Sequence, residues 1–209
     1  MRRSRIIVAS IGAALSTLVA LASYRYLLPD WPGAPPPIAA NSAAVPLLPI
    51  HAIFAATALL IGPLQFLGGL RRSRPHLHRA VGFTYVLCCI LGGTSGLALA
   101  VGSTAGPVAA AGFFSLGTAW IVATSVGLSL AMRRRFEAHR RWMIRSYTLT
   151  FAAVTLRIYL PIPLLMGFEF VEGYRAIAFL CWVPNLVAAE LYIALTRARR
   201  GRLEPVRAA

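Results

Sequence analysis

Two histidines are the leading candidates for chemistry in this sequence, because each is followed directly by arginine. His78 precedes Arg79, and His139 precedes Arg140. Histidines from two different helices can ligate a haem iron from both sides, and neighbouring arginines can pair with the haem propionates. The pattern predicts a b-type haem between His78 and His139, with Arg79 and Arg140 as the propionate partners and no metal other than the haem iron.

The segment that follows His78 carries a stripe of small residues. At helical spacing, Gly82, Tyr85, Gly92 and Gly96 fall on the same face as His78. A face of this kind gives a flat macrocycle room beside the helix, or it lets two helices pack closely through a small-xxx-small contact. Both interpretations stay open, and Gly82 and Tyr85 are included among the candidate cofactor-binding residues.

Polar residues inside apolar segments mark two further candidate sites. His51 and Arg157 are predicted at similar depth and form an outer polar site. Near the other surface, Gln65, Arg145 and Glu190 fall at one level, where Arg145 and Glu190 are expected to form an ion pair. Because polar groups are costly inside a bilayer, they usually line a cavity or a pathway when they occur there.

The elements that must position these residues are apolar helices. The chain of 209 residues is 58% hydrophobic and 13% charged, and no Asp, Glu, Lys or Arg occurs from Ala80 to Met132. This composition excludes a disordered chain and a soluble basic protein. A helix of about 20 residues crosses the hydrocarbon core of a bilayer. The sequence therefore predicts an all-α polytopic membrane protein, a bundle of six transmembrane helices near 6–28, 47–70, 80–102, 106–132, 142–166 and 174–196.

The distribution of arginine predicts the orientation of the chain. The formal net charge is +15, and the arginines concentrate at alternate ends of the spans, in residues 2–5, 71–79, 133–141 and 197–207. Because positive loops stay in the cytoplasm, both termini are predicted to be cytoplasmic in a bacterial inner membrane. The same alternation explains the basic charge without nucleic acid. The expected partners are the lipid bilayer and its anionic headgroups, and the protein partners stay unknown.

Changes in composition divide the chain into four segments. Residues 1–30 are a membrane anchor whose start also resembles a cleavable signal, and residues 31–46 are a proline-rich external loop. Residues 47–196 form a membrane domain of five helices, and residues 197–209 form a basic cytoplasmic tail. Within the domain, Pro161 cannot donate a backbone hydrogen bond, which predicts a kink in the fifth span.

Two blocks of residues have the form of a family signature. The first is Gly62–Phe66 followed by Arg74–Tyr85, and the second is His139–Tyr147 continuing to Arg157. They resemble the bacterial predicted membrane proteins called domain of unknown function 2306, over about residues 48–196. The resemblance implies a multi-span membrane domain and supplies no activity, substrate or cofactor. The candidate functional positions that match this pattern are His78, Arg79, Gly82, Tyr85, His139, Trp142, Arg145 and Arg157.

Three functions stay open at this point. The first is an electron-transfer subunit that holds a b-type haem or a quinone between the second, third and fifth spans. The second is a carrier or binding protein for a small anion or lipid, with Arg145 and Arg157 as charge partners. The third is a membrane scaffold without a ligand, in which the small-residue faces only allow close packing. Whether the chain is an enzyme is not decided by the sequence.

Overall fold

The computed structural model describes the backbone of residues 2–28 and 39–201 and the side chains of residues 6–28 and 39–198. Within these residues, six helical segments are long and apolar enough to cross a membrane. They are numbered first to sixth: Ile6–Leu27, Ala44–Phe66, Pro75–Val101, Pro107–Met132, Phe136–Leu165 and Phe170–Ala198. The predicted all-α fold class and the six predicted spans are confirmed.

The helices within the described residues have the following bounds. They are α1 Arg2–Ser23, α2 Ala44–Ile61, α3 Gly68–Ser73, α4 Pro75–Val101, α5 Pro107–Met132, α6 Phe136–Thr150, α7 Ala152–Tyr159, α8 Ile162–Leu165, α9 Phe170–Leu180 and α10 Val183–Gly201. Two 3-10 turns, Tyr24–Leu27 and Gly62–Phe66, extend the first and second spans. Proline begins α4 and α5, where its missing N–H has no helical partner to lose.

Three spans begin several residues earlier than hydropathy predicts. The third begins at Pro75, the fifth at Phe136 and the sixth at Phe170. Hydropathy marks only the apolar part of a span, whereas helical hydrogen bonding continues into the turns that carry arginine and histidine. As a consequence, His78 and His139 each lie in the first turn of a helix.

The fifth span is broken twice. Its helices α6 and α7 meet at Phe151, and α7 ends before Pro161. The second break confirms the predicted kink, since proline removes the N–H that would bond the carbonyl of Arg157. The break at Phe151 has no proline or glycine beside it and is not predicted by the sequence.

The sixth span is also discontinuous. Its helices α9 and α10 are separated at Cys181 and Trp182, just before Pro184. The carbonyl of Cys181 accepts hydrogen bonds from Thr155 Oγ1 and Asn185 Nδ2. Because backbone groups need internal partners inside a membrane, these side chains stabilise the break.

Neighbouring spans pack as antiparallel hairpins. The second packs against the third, the third against the fourth and the fourth against the fifth, while the first packs against the second. The connections between them are short, as at residues 102–106 and 133–135. Residues 71–79 and 133–141 therefore lie at one end of the bundle, called here the basic end, and residues 102–106 lie at the opposite end.

Candidate functional site

The centre of the bundle contains a buried network of hydroxyl groups from the third, fourth and fifth spans. The Tyr85 hydroxyl lies 2.9 Å from Ser146 Oγ and 2.8 Å from Thr150 Oγ1. Thr124 Oγ1 lies 2.6 Å from Ser146 Oγ, and Trp120 Nε1 donates to Thr150 Oγ1 at 2.8 Å. Ser146 and Thr150 are four residues apart and share one helix face, so one face of α6 reaches both neighbouring spans.

The stripe of small residues on the third span packs against this network and the second span. Tyr85, a predicted cofactor-binding residue, is only 1% exposed, and its hydroxyl is used by the network. A Cβ at each glycine of the stripe would meet a group of the second span: Gln65 Oε1 at 3.2 Å from Gly82, the Ala55 backbone nitrogen at 3.1 Å from Gly92, and the His51 ring at 3.1 Å from Gly96. The stripe therefore serves close packing against the second span at Gly82, Gly92 and Gly96.

A cavity of about 230 Å³ lies between this network and the opposite end of the bundle. All six spans contribute to its lining, which is mostly apolar and includes Trp120, Leu149 and Phe113. Most of the polar lining residues lie away from the basic end: Ser23, Arg25, Tyr26, Asn41, His51, Ser103, Arg157 and Tyr174. The cavity thus has an apolar body and a polar, positively charged end.

His51 is fixed in the cavity wall by the third span. Its Nδ1 lies 2.8 Å from the carbonyl oxygen of Gly92. Because a carbonyl oxygen only accepts hydrogen bonds, Nδ1 carries a proton, and Nε2 of the neutral ring keeps a free lone pair. Gly96 gives the ring the space it needs, since a Cβ there would lie 3.1 Å from it. His51 also lines the cavity, which makes Nε2 a candidate acceptor for a ligand.

Arg157 brings a positive charge to the same cavity. Its Nη1 donates to the Ala153 carbonyl at 3.0 Å, and its Nη2 donates to Ser23 Oγ at 2.8 Å. Among the described residues, no ion pair joins Arg157 to a carboxylate, and Glu190 pairs with Arg145 instead. A guanidinium group has five N–H donors, and these two bonds do not exhaust them. A cation without a carboxylate partner inside a membrane is costly, which makes Arg157 a candidate for contact with an anion or an acceptor.

Arg25 and Tyr26 complete the positive end, and sequence analysis did not identify them. Arg25 Nη2 donates to the Tyr26 hydroxyl at 3.2 Å, and its guanidinium carbon lies 5.1 Å from the centre of the Tyr26 ring. The sequence signal for this position is a single arginine near the end of the first span, opposite the basic end. Since Ser23 also contacts Arg157, the first span belongs structurally to the site as well as to the predicted anchor.

At the basic end, the predicted inner cluster separates into two parts. Arg145 Nε and Nη2 lie 2.5 and 2.7 Å from the two carboxylate oxygens of Glu190, which confirms the predicted ion pair. The Arg145 guanidinium carbon also lies 4.7 Å from the centre of the Trp142 ring. Gln65 does not join this pair, because its carboxamide packs on Gly82 of the third span.

The two histidines of the predicted haem site both lie at the basic end, near the starts of α4 and α6. The cavity does not reach either histidine. His139 Nδ1 lies 2.7 Å from the Gly127 carbonyl oxygen, which leaves Nε2 as the free nitrogen. His78 Nδ1 is buried and has no hydrogen-bond partner.

The arginines that follow these histidines have different environments. Arg79 Nε donates at 3.4 Å to the Pro75 carbonyl of its own helix, and Arg140 is exposed. Their predicted pairing with haem propionates stays a prediction.

Comparison with known proteins identifies a family and no activity. A family model described as predicted membrane protein (DUF2306) matches residues 48–193. No protein of curated function and no solved structure matches the chain. The matched region includes His51 and Arg157, whereas Arg25 of the first span lies outside it.

Proposed function

The chain belongs to the DUF2306 family of predicted membrane proteins, and we propose that it binds a small amphiphile in the cavity between its spans. The family confirms the resemblance seen in the sequence, but its description names no activity. Support for the proposal therefore comes from the cavity. The proposed ligand has an apolar body and one head with oxygen acceptors, either a carboxylate or a quinone carbonyl.

The volume of the cavity limits the size of the ligand. An apolar cavity of about 150 Å³ is enough to hold one benzene ring. The cavity here, at about 230 Å³, accommodates one substituted ring or a short acyl chain. A haem, with four pyrrole rings in one macrocycle, is too large for it.

The observation that carries the proposal is the position of Arg157. Arg157 lines the cavity, and its guanidinium forms no ion pair with a carboxylate in the described part of the chain. A ligand carboxylate would accept hydrogen bonds from the donors that Ala153 and Ser23 leave unused. His51 Nε2 would accept a hydrogen bond from a protonated head group, so the pair of residues suits an acid or a hydroxylated ring.

Thermal unfolding of the full chain in a mild detergent tests the proposal. The probes are octanoate and benzoate for the carboxylate head, and a short-tailed ubiquinone analogue for the quinone head. A ligand at one hundred times its Kd stabilises a protein by about 2.7 kcal/mol. For a chain of this size, we expect that stabilisation to raise the unfolding temperature by about 5–10 °C.

Two arginine variants separate a cavity effect from a general charge effect. Arg157→Gln is expected to abolish the shift caused by carboxylates. The shift is measured relative to the ligand-free variant, because the change also removes the hydrogen bond to Ser23. Arg175→Gln is the matched control, because Arg175 donates to the Ala105 carbonyl and does not line the cavity. Unchanged unfolding of the wild type with every probe, or a shift that survives Arg157→Gln, would contradict the proposal and favour a scaffold without a ligand.

A b-type haem between His78 and His139 is a second proposal, supported by the hydrogen bond of His139. Ligating histidines usually donate their other ring N–H to a carbonyl or carboxylate, and the bond from Nδ1 to Gly127 has this form. Protein purified from haem-replete cells should then show a Soret band and a reduced α-band, both lost in His139→Ala. A colourless preparation that does not respond to added haemin would refute it.

A further inference from the structure

The two ends of the cavity differ in the hydrogen-bonding capacity that their side chains keep for a ligand. The head end carries His51 and Arg157, and the network end carries Trp120 and Thr150. Thr150 and Arg157 are seven residues apart in the fifth span, which corresponds to about 10 Å along a helix. One part of a ligand can therefore contact the head end while another part contacts the network end.

At the network end, the Thr150 hydroxyl is fully occupied. Thr150 Oγ1 donates its single proton to the Ser146 carbonyl at 3.0 Å, accepts a hydrogen bond from Trp120 Nε1 at 2.8 Å and lies 2.8 Å from the Tyr85 hydroxyl. A hydroxyl group has one donor and two acceptor positions, so these three contacts fill it. The one N–H of the Trp120 indole is used in the same network. These two side chains therefore leave no donor or acceptor for a ligand.

The other lining residues nearest the network end add little polarity. They are Leu59 of the second span, Leu149 of the fifth and Cys181 of the sixth. The Cys181 thiol lies 3.9 Å from the Ala178 carbonyl oxygen, which it uses as an acceptor. A polar substituent of a ligand that reached this wall would lose its hydrogen bonds to water and find no replacement for them.

The head end keeps both a donor and an acceptor. Arg157 has N–H groups beyond those bonded to Ala153 and Ser23. His51 keeps Nε2 as an acceptor, since its Nδ1 bonds the Gly92 carbonyl. A carboxylic acid carries a carbonyl acceptor and an O–H donor on one carbon, so one small group can serve both residues. An oxidised quinone has acceptors only, and its second carbonyl lies across the ring, where it would meet the network end.

From this difference we infer that the ligand is a monocarboxylic acid whose apolar tail points toward Trp120 and Thr150. The inference rests on the proposed function, which allows either a carboxylate or a quinone carbonyl as the head, and it selects the carboxylate. It also specifies the tail, which is one ring or a short chain without a polar group at its far end.

Thermal unfolding of the full chain in a mild detergent, with two acids that differ only at the tail, tests the inference. The acids are para-methylbenzoate and para-hydroxybenzoate, which have the same charge and nearly the same size. Their concentrations are corrected for partition into the detergent, measured without protein. We expect the hydroxyl group to raise the concentration needed for half of the shift by about tenfold or more. The short-tailed ubiquinone analogue should give no shift that saturates.

Two variants of Thr150 separate hydrogen-bonding capacity from space at the network end. Thr150→Ala removes the hydroxyl and the methyl group, and it leaves Trp120 Nε1 beside the cavity without an acceptor. The hydroxyl of para-hydroxybenzoate can then accept that bond, so the preference for para-methylbenzoate should fall by about two- to tenfold. Thr150→Ser removes only the methyl group, so it should keep the wild-type preference. Should Thr150→Ala fail to fold, octanoate and its omega-hydroxy derivative repeat the ligand comparison on the wild type.

Three results would overturn the inference and leave the proposed function intact. The first is an equal half-shift concentration for the two benzoates, with both shifts lost in Arg157→Gln. The second is a saturating shift with the ubiquinone analogue that is lost in Arg157→Gln. The third is an equal fall in preference in Thr150→Ala and Thr150→Ser, which would show that space alone selects the tail. By contrast, the absence of a shift with every ligand would contradict the proposed function itself.

Discussion

Replacement of Thr150 by valine removes one hydroxyl group from the cavity wall and preserves the shape of the side chain. Thr150 Oγ1 accepts a hydrogen bond from Trp120 Nε1, pairs with the Tyr85 hydroxyl and donates to the Ser146 carbonyl at 3.0 Å. After the change, Tyr85 keeps its bond to Ser146 Oγ at 2.9 Å. Trp120 Nε1 loses its acceptor while it is buried, and this loss dominates the expected effect.

The expected loss of stability in Thr150→Val comes mainly from the unpaired Trp120 Nε1 donor. A buried donor left without an acceptor destabilises a protein by about 1–3 kcal/mol. An interhelical hydrogen bond inside a membrane contributes on average about 0.6 kcal/mol, so the unpaired donor outweighs the lost bond to Tyr85. Thr150→Val is therefore expected to lower the free energy of unfolding by about 1–3 kcal/mol and the unfolding temperature by about 2–12 °C.

Thermal unfolding followed by tryptophan fluorescence measures this effect, with Thr94→Val as the matched control. Thr94 is exposed, and its hydroxyl bonds only the Ile90 and Leu91 carbonyls of its own helix. The control should change the free energy of unfolding by less than about 0.5 kcal/mol. If Thr150→Val unfolds at the same temperature as Thr94→Val, the hydroxyl network does not hold Trp120 in the way described.

Three further changes test other parts of the structure. Gly112→Ala places a Cβ 2.8 Å from the nearest atom of the sixth span. Chemical unfolding should show a loss of stability of about 1–3 kcal/mol. Gly12→Ala is the control and should show no such loss, because nothing lies within 4 Å of its Cβ. Glu190→Gln should lower the free energy of unfolding by about 0.2–1 kcal/mol, and the difference should shrink at high salt, because its ion pair with Arg145 is partly exposed. A reporter fused after Gly106 should be active as an exported phosphatase and dark as a cytoplasmic fluorescent protein; the reverse result would overturn the predicted orientation.

The spans could be predicted because the membrane restricts the possible structures. Backbone groups in lipid must be paired within a helix, and bilayer thickness sets helix length, so apolar segments predicted the number of spans correctly. Depth along the helix also predicted that His51 and Arg157 share one level, and both line one cavity. The missing N–H of Pro161 predicted the break that follows α7.

The arrangement of helix faces could not be predicted in the same way. Tyr85 and Ser146 each lie on a recognisable polar stripe, but periodicity does not reveal which stripes face each other. Gly96 illustrates the problem, because its small size allows either a macrocycle or a neighbouring side chain, and the structure places the His51 ring there. Arg25 was not predicted, because it is a single arginine at the end of a span and lies outside the arginine-rich loops.

Contact between a bromine-labelled ligand and Trp120 tests the central claim most directly. Trp120 lines the cavity, whereas Trp142 and Trp182 do not, and bromine quenches tryptophan fluorescence at short range. A brominated short-chain carboxylate should quench wild-type fluorescence at saturating concentration, with little quenching left in Trp120→Phe and none that saturates in Arg157→Gln. Quenching that is equal in all three proteins would show that the carboxylate only partitions into the detergent, and the proposed ligand cavity would be rejected.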